Sequence, residues 1–195
     1  MDNETYLAES SRSVAPGIHT EFTELEGTLI KKALMDTITA GDYCDSLKRK
    51  LFYGLEFTGK GLPSNTMSLE KIEGQAIAEH LRQFISHYAV SNITPNDLIH
   101  GIIGAAGETG ELVDALTSSL LKQGPIDTVN VGEEVGDVLW YLALILRSVN
   151  STFEEAMELN IEKLRKRYPD KWSQKAVLDR DLDGEREILE KSKTV

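Results

Sequence analysis

The chain has 195 residues, roughly 1.3 times a typical domain of about 150, so it is one domain or two small ones. Apolar residues make up 41% and charged residues 27%, near the globular average, which excludes disorder throughout. The 21 basic and 32 acidic residues give a formal net charge of −11, which repels nucleic acid and anionic membrane surfaces, so neither is an expected partner.

Residues 1–20 lack a basic start followed by an apolar stretch, so no secretory signal is expected. They read as loosely ordered, with one short helix around Tyr6. A helix is predicted from about Glu26 to Lys50, ending near Gly54. Residues 55–67, with Gly59, Gly61, Pro63, Ser64 and Asn65, read as a turn-rich linker. A helix opens after Ser68 and buries Ile72, Ala76, Ile77, Leu81, Phe84, Ile85 and Tyr88 along one face. Thr94 as N-cap, Pro95 at the first helical position and Asp97 in the first turn open the next helix. It should run to about Lys122 and stop at Gly124-Pro125. Asp127 or Asn130 caps a helix over about Val131–Val149. This helix holds the longest apolar run, Val138–Leu146, whose nine residues are far short of the roughly 20 a membrane span requires. Ser151 with Glu154 forms a capping-box pattern for a helix that Pro169 ends. The tail, 170–195, is polar with one or two short helices. No alternating strand pattern occurs. The predicted fold class is all-α, a helical bundle.

An internal echo lies within this pattern. A shift of 69 residues places Leu29-Ile30 on Leu98-Ile99, Gly41-Asp42 on Gly110-Glu111, Asp45 on Asp114 and Leu47 on Leu116. The reading is a degenerate first copy in residues 1–67 and a fuller helical domain in 68–195, with chance similarity of helical patterns as the alternative.

Glu108 and Glu111 lie three apart on a predicted helix, roughly 60° apart around its axis. Glu134 and Asp137 repeat the spacing on the next helix. Either these acids belong to a solvated acidic surface, or two pairs on largely apolar helices face a shared interior. Four converging carboxylates are costly to bury without cations. Oxygen ligands select hard ions, Mg²⁺ or alternatively Mn²⁺, and the lone Cys44 excludes a multi-cysteine zinc site. Gly101, Gly104, Gly107 and Gly110 recur every third residue. They either leave room for metal and ligand or permit close helix packing. Lys163, Arg165, Lys166 and Arg167 are the largest cluster of positive charge. They either complement a helix C-terminus or, with Asn160, Lys163 and Arg167 on one stripe, bind phosphate oxygens.

Together these residues resemble the MazG-type all-α nucleoside triphosphate pyrophosphohydrolases of bacteria and phages. The family's hallmark is E-x-x-E, a spacer, then E-x-x-D. Here it is Glu108-x-x-Glu111, 22 intervening residues, and Glu134-x-x-Asp137. Segments 104–114, 130–142 and 160–169 match in order, as does the closing Arg180-Asp181 with Glu185. The resemblance covers about residues 95–190. It implies Mg²⁺ held by Glu108, Glu111, Glu134 and Asp137, and hydrolysis of (d)NTP to (d)NMP and pyrophosphate. It further implies that Glu108 or Glu111 acts on the attacking water. Lys163 and Arg167 would clamp phosphates, with Asn160, Tyr168 and His100 as substrate contacts. A homodimer or higher homo-oligomer in the cytoplasm is expected on the same ground.

The chain departs from the family pattern in two places. Relatives carry an aromatic-Gly-Lys turn after the first acidic helix, where this chain has Leu121-Lys122-Gln123-Gly124, while Phe52-Tyr53-Gly54 stands in the first half. The first copy has Thr39, Asp42 and Asp45 in place of Glu108, Glu111 and Asp114. One working site per chain is therefore expected, with the first copy supplying packing and part of a pocket. The alternatives are a helical nucleotide-binding module without turnover, a hydrolase of guanosine alarmones or another related nucleotide, and a purely structural helical protein.

Overall fold

The computed structural model describes residues 1–11, 13, 23–57, 71–88 and 91–190, the side chains of 71–77 excepted. Residues 58–67 of the expected linker and the 67/68 boundary lie outside these residues, as do Ser68, the side chains of Ile72, Ala76 and Ile77, and residues 12 and 14–22. The fold is all-α: among the described residues there is no strand. No described helix is long and apolar enough to cross a membrane. The chain divides into two compact units, Met1–Glu21 with Ser151–Val195, and Phe22–Asn150.

In the unit Phe22–Asn150, α2 (Glu24–Tyr53) packs on α4 (Pro95–Lys122), and α4 packs on α5 (Thr128–Ser148). The shorter α3 (Lys71–Tyr88) touches α4. A reciprocal capping box starts α2: the Thr23 hydroxyl accepts from the Glu26 N–H, and the Glu26 carboxylate accepts from the Thr23 N–H. Gly54 ends it in the left-handed region at φ 67°, where a residue without Cβ carries no penalty. Asp127, rather than Asn130, caps α5 by accepting from the N–H groups of Val129 and Asn130.

Two expected boundaries are built differently. Thr94 precedes α4 but makes no side-chain cap; its N–H donates instead to the Ser148 carbonyl, which ties the start of α4 to the end of α5. Gln123, not Gly124, is the left-handed residue that ends α4, at φ 51°. The Gly124 N–H then donates to the Ser119 carbonyl, satisfying a last-turn acceptor.

The glycines of α4 serve close packing, which leaves no pocket beside Gly101 and Gly104. A Cβ at Gly101 would stand 2.6 Å from the Ile145 side chain, and one at Gly104 would overlap the Tyr141 ring. Gly107 faces Asp45. A Cβ on Gly110 would lie 2.6 Å from the Gly41 Cα, and a Cβ on Gly41 would lie the same distance from the Gly110 Cα. The two positions equated by the internal echo are thus the two that meet. Equivalent residues touching each other is what a two-fold relation between copies produces. Here the observation is the close approach of the α2 and α4 backbones at these two glycines.

The other unit holds α1 (Asn3–Ser11), α6 (Phe153–Arg167), α7 (Gln174–Leu178) and α8 (Leu182–Glu190). Both α1 and α8 pack on α6, whose Ile161 is buried. Thr152, one residue after the expected Ser151, caps α6 by accepting from the Glu155 N–H. The Ser151 hydroxyl donates to the Glu155 carboxylate instead.

Candidate metal centre

Two turns of α4 and the first half of α5 bring three acids together. One carboxylate oxygen each from Glu108, Glu111 and Glu134 lies within 4.8 Å of the others. The three-residue spacing puts Glu108 and Glu111 on one side of α4, and the Gly101–Tyr141 and Gly104–Tyr141 contacts hold α5 close enough for Glu134 to reach them. Glu134 is buried, the Glu108 side chain is 12% exposed, and Glu111 opens to solvent.

Each acid is held differently. The Asn130 side-chain amide donates to Glu134 Oε1 at 2.6 Å, from one turn earlier on α5. Lys48 of α2 donates to Glu108 Oε1 at 3.0 Å. Glu111 accepts no hydrogen bond among the described residues. Burial pushes the Glu111 carboxyl above its ordinary range, and the charges of Glu108, Glu134 and Asp45 push it further. Burial also raises Glu134; the Asn130 bond opposes this, and the charges of Glu108, Glu133 and Asp137 add to it. An all-oxygen set of crowded carboxylates is the donor chemistry of a hard divalent cation, so the residues present fit such an ion. Among the described residues this is the group able to hold one.

Asp137 stands apart from that group. It lies exposed one turn beyond Glu134, and its charge bears on Glu134 without its oxygen joining the three.

Lys48 escaped sequence reasoning altogether. It is 4% exposed, and its ammonium bonds Glu108, Asp45 Oδ1 at 3.0 Å and Tyr141. Burial disfavours its charge, but the bonds to Tyr141, Asp45 and Glu108 outweigh this and leave its pKa above the usual lysine value. No spacing rule on one helix pairs residues 48 and 108. The signal available was Lys48's position two turns after Gly41, on the same face of α2.

His100 sits in an aromatic nest. Its ring stacks on Phe52 at 4.3 Å and meets Tyr53, Trp140 and Tyr141 edge-on. Burial and the Lys48 charge hold its pKa below the ordinary histidine value. The Phe52-Tyr53 pair that looked displaced in sequence is therefore the platform for this ring.

The predicted phosphate contacts lie in the other unit, where most already have partners. Arg167 forks onto Glu185 through Nε at 2.9 Å and a second nitrogen at 2.5 Å, and Arg180 shares the same buried carboxylate at 2.7 Å. Lys166 pairs with Asp181 at 2.9 Å and Arg165 with Glu9 at 2.8 Å. Asn160 donates to the Tyr6 hydroxyl. Tyr168 caps α6 with its ring beside the Arg167 guanidinium, and Lys163 is half-buried on α6.

Comparison with known proteins agrees with the acidic helices. The family model of the MazG nucleotide pyrophosphohydrolase domain matches residues 96–172. That segment belongs to the MazG family. The MazG segment begins with α4 and takes in α5, α6 and Pro169, so it contains all three converging acids. A GDSL esterase/lipase of Arabidopsis thaliana is 32% identical over 134 residues, which is 67% of this chain and 35% of that protein. The esterase name describes the longer protein, about a third of which this chain spans. No solved structure matches the chain.

Proposed function

We propose that this MazG protein is a divalent-metal-dependent hydrolase that converts nucleoside or deoxynucleoside triphosphates into the monophosphate and pyrophosphate. The observation carrying this reading is the convergence of Glu108, Glu111 and Glu134 inside the MazG segment. These three residues would hold the ion, with Mg²⁺ the expected species and exposed Asp137 a further ligand once substrate is present. When bound, the ion supplies neutralisation of triphosphate charge and acidification of a water.

The side chains divide the remaining work. Lys48 and Asn130 fix Glu108 and Glu134 by direct bonds, so those two carboxylates are positioned and less free to accept a proton. Glu111 has neither restraint and faces solvent, which makes it the group suited to orient the attacking water and take its proton. Val135, Leu139 and Leu142 form an exposed apolar stripe along α5, with Trp140 beside it, and support a homodimer formed through this helix.

The test is incubation with a panel of NTPs, dNTPs and guanosine alarmones plus Mg²⁺, with separate assays for monophosphate and pyrophosphate. Turnover by the wild type and its loss in Glu111→Gln is the expected outcome. Absence of turnover with every nucleotide, or an equally active Glu111→Gln, refutes it. A nucleotide-binding module without turnover is the second reading. It is favoured by the Lys48 ammonium, which already offsets part of the acidic charge. Saturable nucleotide binding without product would select it.

A further inference from the structure

The two glycine-paired helices are unequal at one buried position. In α2 it is Lys48; the same register in α4, 69 residues on, is Thr117. Thr117 is buried too, but its hydroxyl is satisfied within its own helix by the Val113 carbonyl. Lys48 instead reaches out of its helix. Its three donors are taken by Asp45, Glu108 and the Tyr141 hydroxyl, so the ammonium is fully bonded and held in one place. Asp45 has a second cation, Arg49, at 2.7 Å, which leaves Glu108 as the acid whose charge Lys48 principally answers.

We infer that Lys48 is a resident counter-cation of the Glu108–Glu111–Glu134 cluster, a positioning residue that limits how tightly the cluster holds a divalent ion. The inference rests on the metal-dependent reading above. Three carboxylates facing one ammonium retain two negative charges, which one divalent cation neutralises. Without the ammonium the cluster keeps a surplus charge, and at separations of a few ångströms an added like charge lowers cation affinity substantially. Lys48 therefore keeps the ion exchangeable while occupying Glu108 Oε1. A purely structural ion pair between α2 and α4 would behave otherwise. Its loss would loosen the packing and leave metal affinity unchanged or weaker.

Manganese binding without nucleotide separates the two accounts. The full-length wild type, Lys48→Met, Lys48→Gln and Lys48→Arg are titrated with Mn²⁺ and read by electron paramagnetic resonance, with circular dichroism confirming the fold. Both neutral variants should bind Mn²⁺ roughly tenfold more tightly than wild type. Lys48→Arg, which keeps the charge, should stay within about twofold. Folded neutral variants with unchanged or weaker affinity overturn the inference. Should neither fold, the ¹³Cε signal of Lys48 in wild type is followed during Mg²⁺ titration. A saturable shift supports the inference, and an unmoved signal overturns it. If wild type and Glu134→Gln bind Mn²⁺ equally poorly, the metal-dependent reading falls and takes this inference with it. If wild type binds well and the neutral variants do not tighten, only the Lys48 role falls.

Discussion

The two units arrange charge in opposite ways. At the end of α6, Arg165, Lys166 and Arg167 meet Glu9, Asp181 and Glu185, and Arg180 adds a second guanidinium to Glu185. In the unit Phe22–Asn150, three carboxylates converge and one ammonium answers them. Like charges cluster in sequence at both places, yet among the described residues the cationic cluster is matched by three acids and the acidic one by a single ammonium. The lesson is that a run of charges points to an outside ligand only when the fold leaves it unbalanced.

The largest test of this contrast removes the imbalance. Glu134→Gln or Glu111→Gln should lower turnover by about 10²–10³-fold, measured as pyrophosphate release. It should also abolish the rise in melting temperature produced by Mg²⁺. Arg167→Ala should leave that Mg²⁺-dependent rise intact, since its charge is spent on Glu185.

The next effect falls on stability. Arg167→Ala strands a buried carboxylate with the more exposed Arg180, and breaking such a pair costs about 3–5 kcal/mol in urea unfolding. An unchanged midpoint would mean the cationic cluster is not structural.

Packing effects should be smaller. Gly41→Ala and Gly110→Ala each push a methyl group into the other helix's backbone and should each cost about 1–3 kcal/mol. Gly27→Ala on open surface of α2 should instead gain up to about 1 kcal/mol by helix propensity.

The most graded effect is that of pH. Bonds from Arg167, then Arg180, hold Glu185 at about 2 against an ordinary 4.5. Its stabilisation is therefore complete above about pH 4.5 and lost as pH falls toward 2. Glu111 and Glu134 shift upward, so their ionisation opposes folding, and mild acidification toward 4.5 should strengthen the metal-free unit that holds them. Amide hydrogen exchange followed from pH 7 to 3 should show that unit gaining protection before the other loses it.

Much of this was legible in the sequence because it is periodic. Three-residue spacing exposed Glu108 and Glu111, and capping residues placed α4, α5 and α6 to within a few positions. What was hidden lies in contacts across long separations. Lys48 bonds Glu108 sixty residues away, and the Arg165 partner Glu9 is 156 residues distant. Local periodicity carries no trace of either pairing. The basic stripe of α6 therefore left two readings open, a complement to the helix end or a phosphate surface, and the Glu185 partner of Arg167 was visible in neither. The glycine ladder was ambiguous for a related reason. A missing side chain marks close approach, and only the fold says whether a ligand or another helix approaches.

The aromatic nest around His100 also places an optical probe beside the acids. Trp140, 57% exposed, meets Tyr141 edge-on at 4.9 Å, and Tyr141 is the residue whose hydroxyl accepts from Lys48. The chain has one other tryptophan, Trp172, which belongs to the second unit. Each unit thus carries a single indole, and replacing Trp172 by phenylalanine leaves one emitter whose fluorescence reports on Tyr141, Lys48 and the carboxylates beyond them.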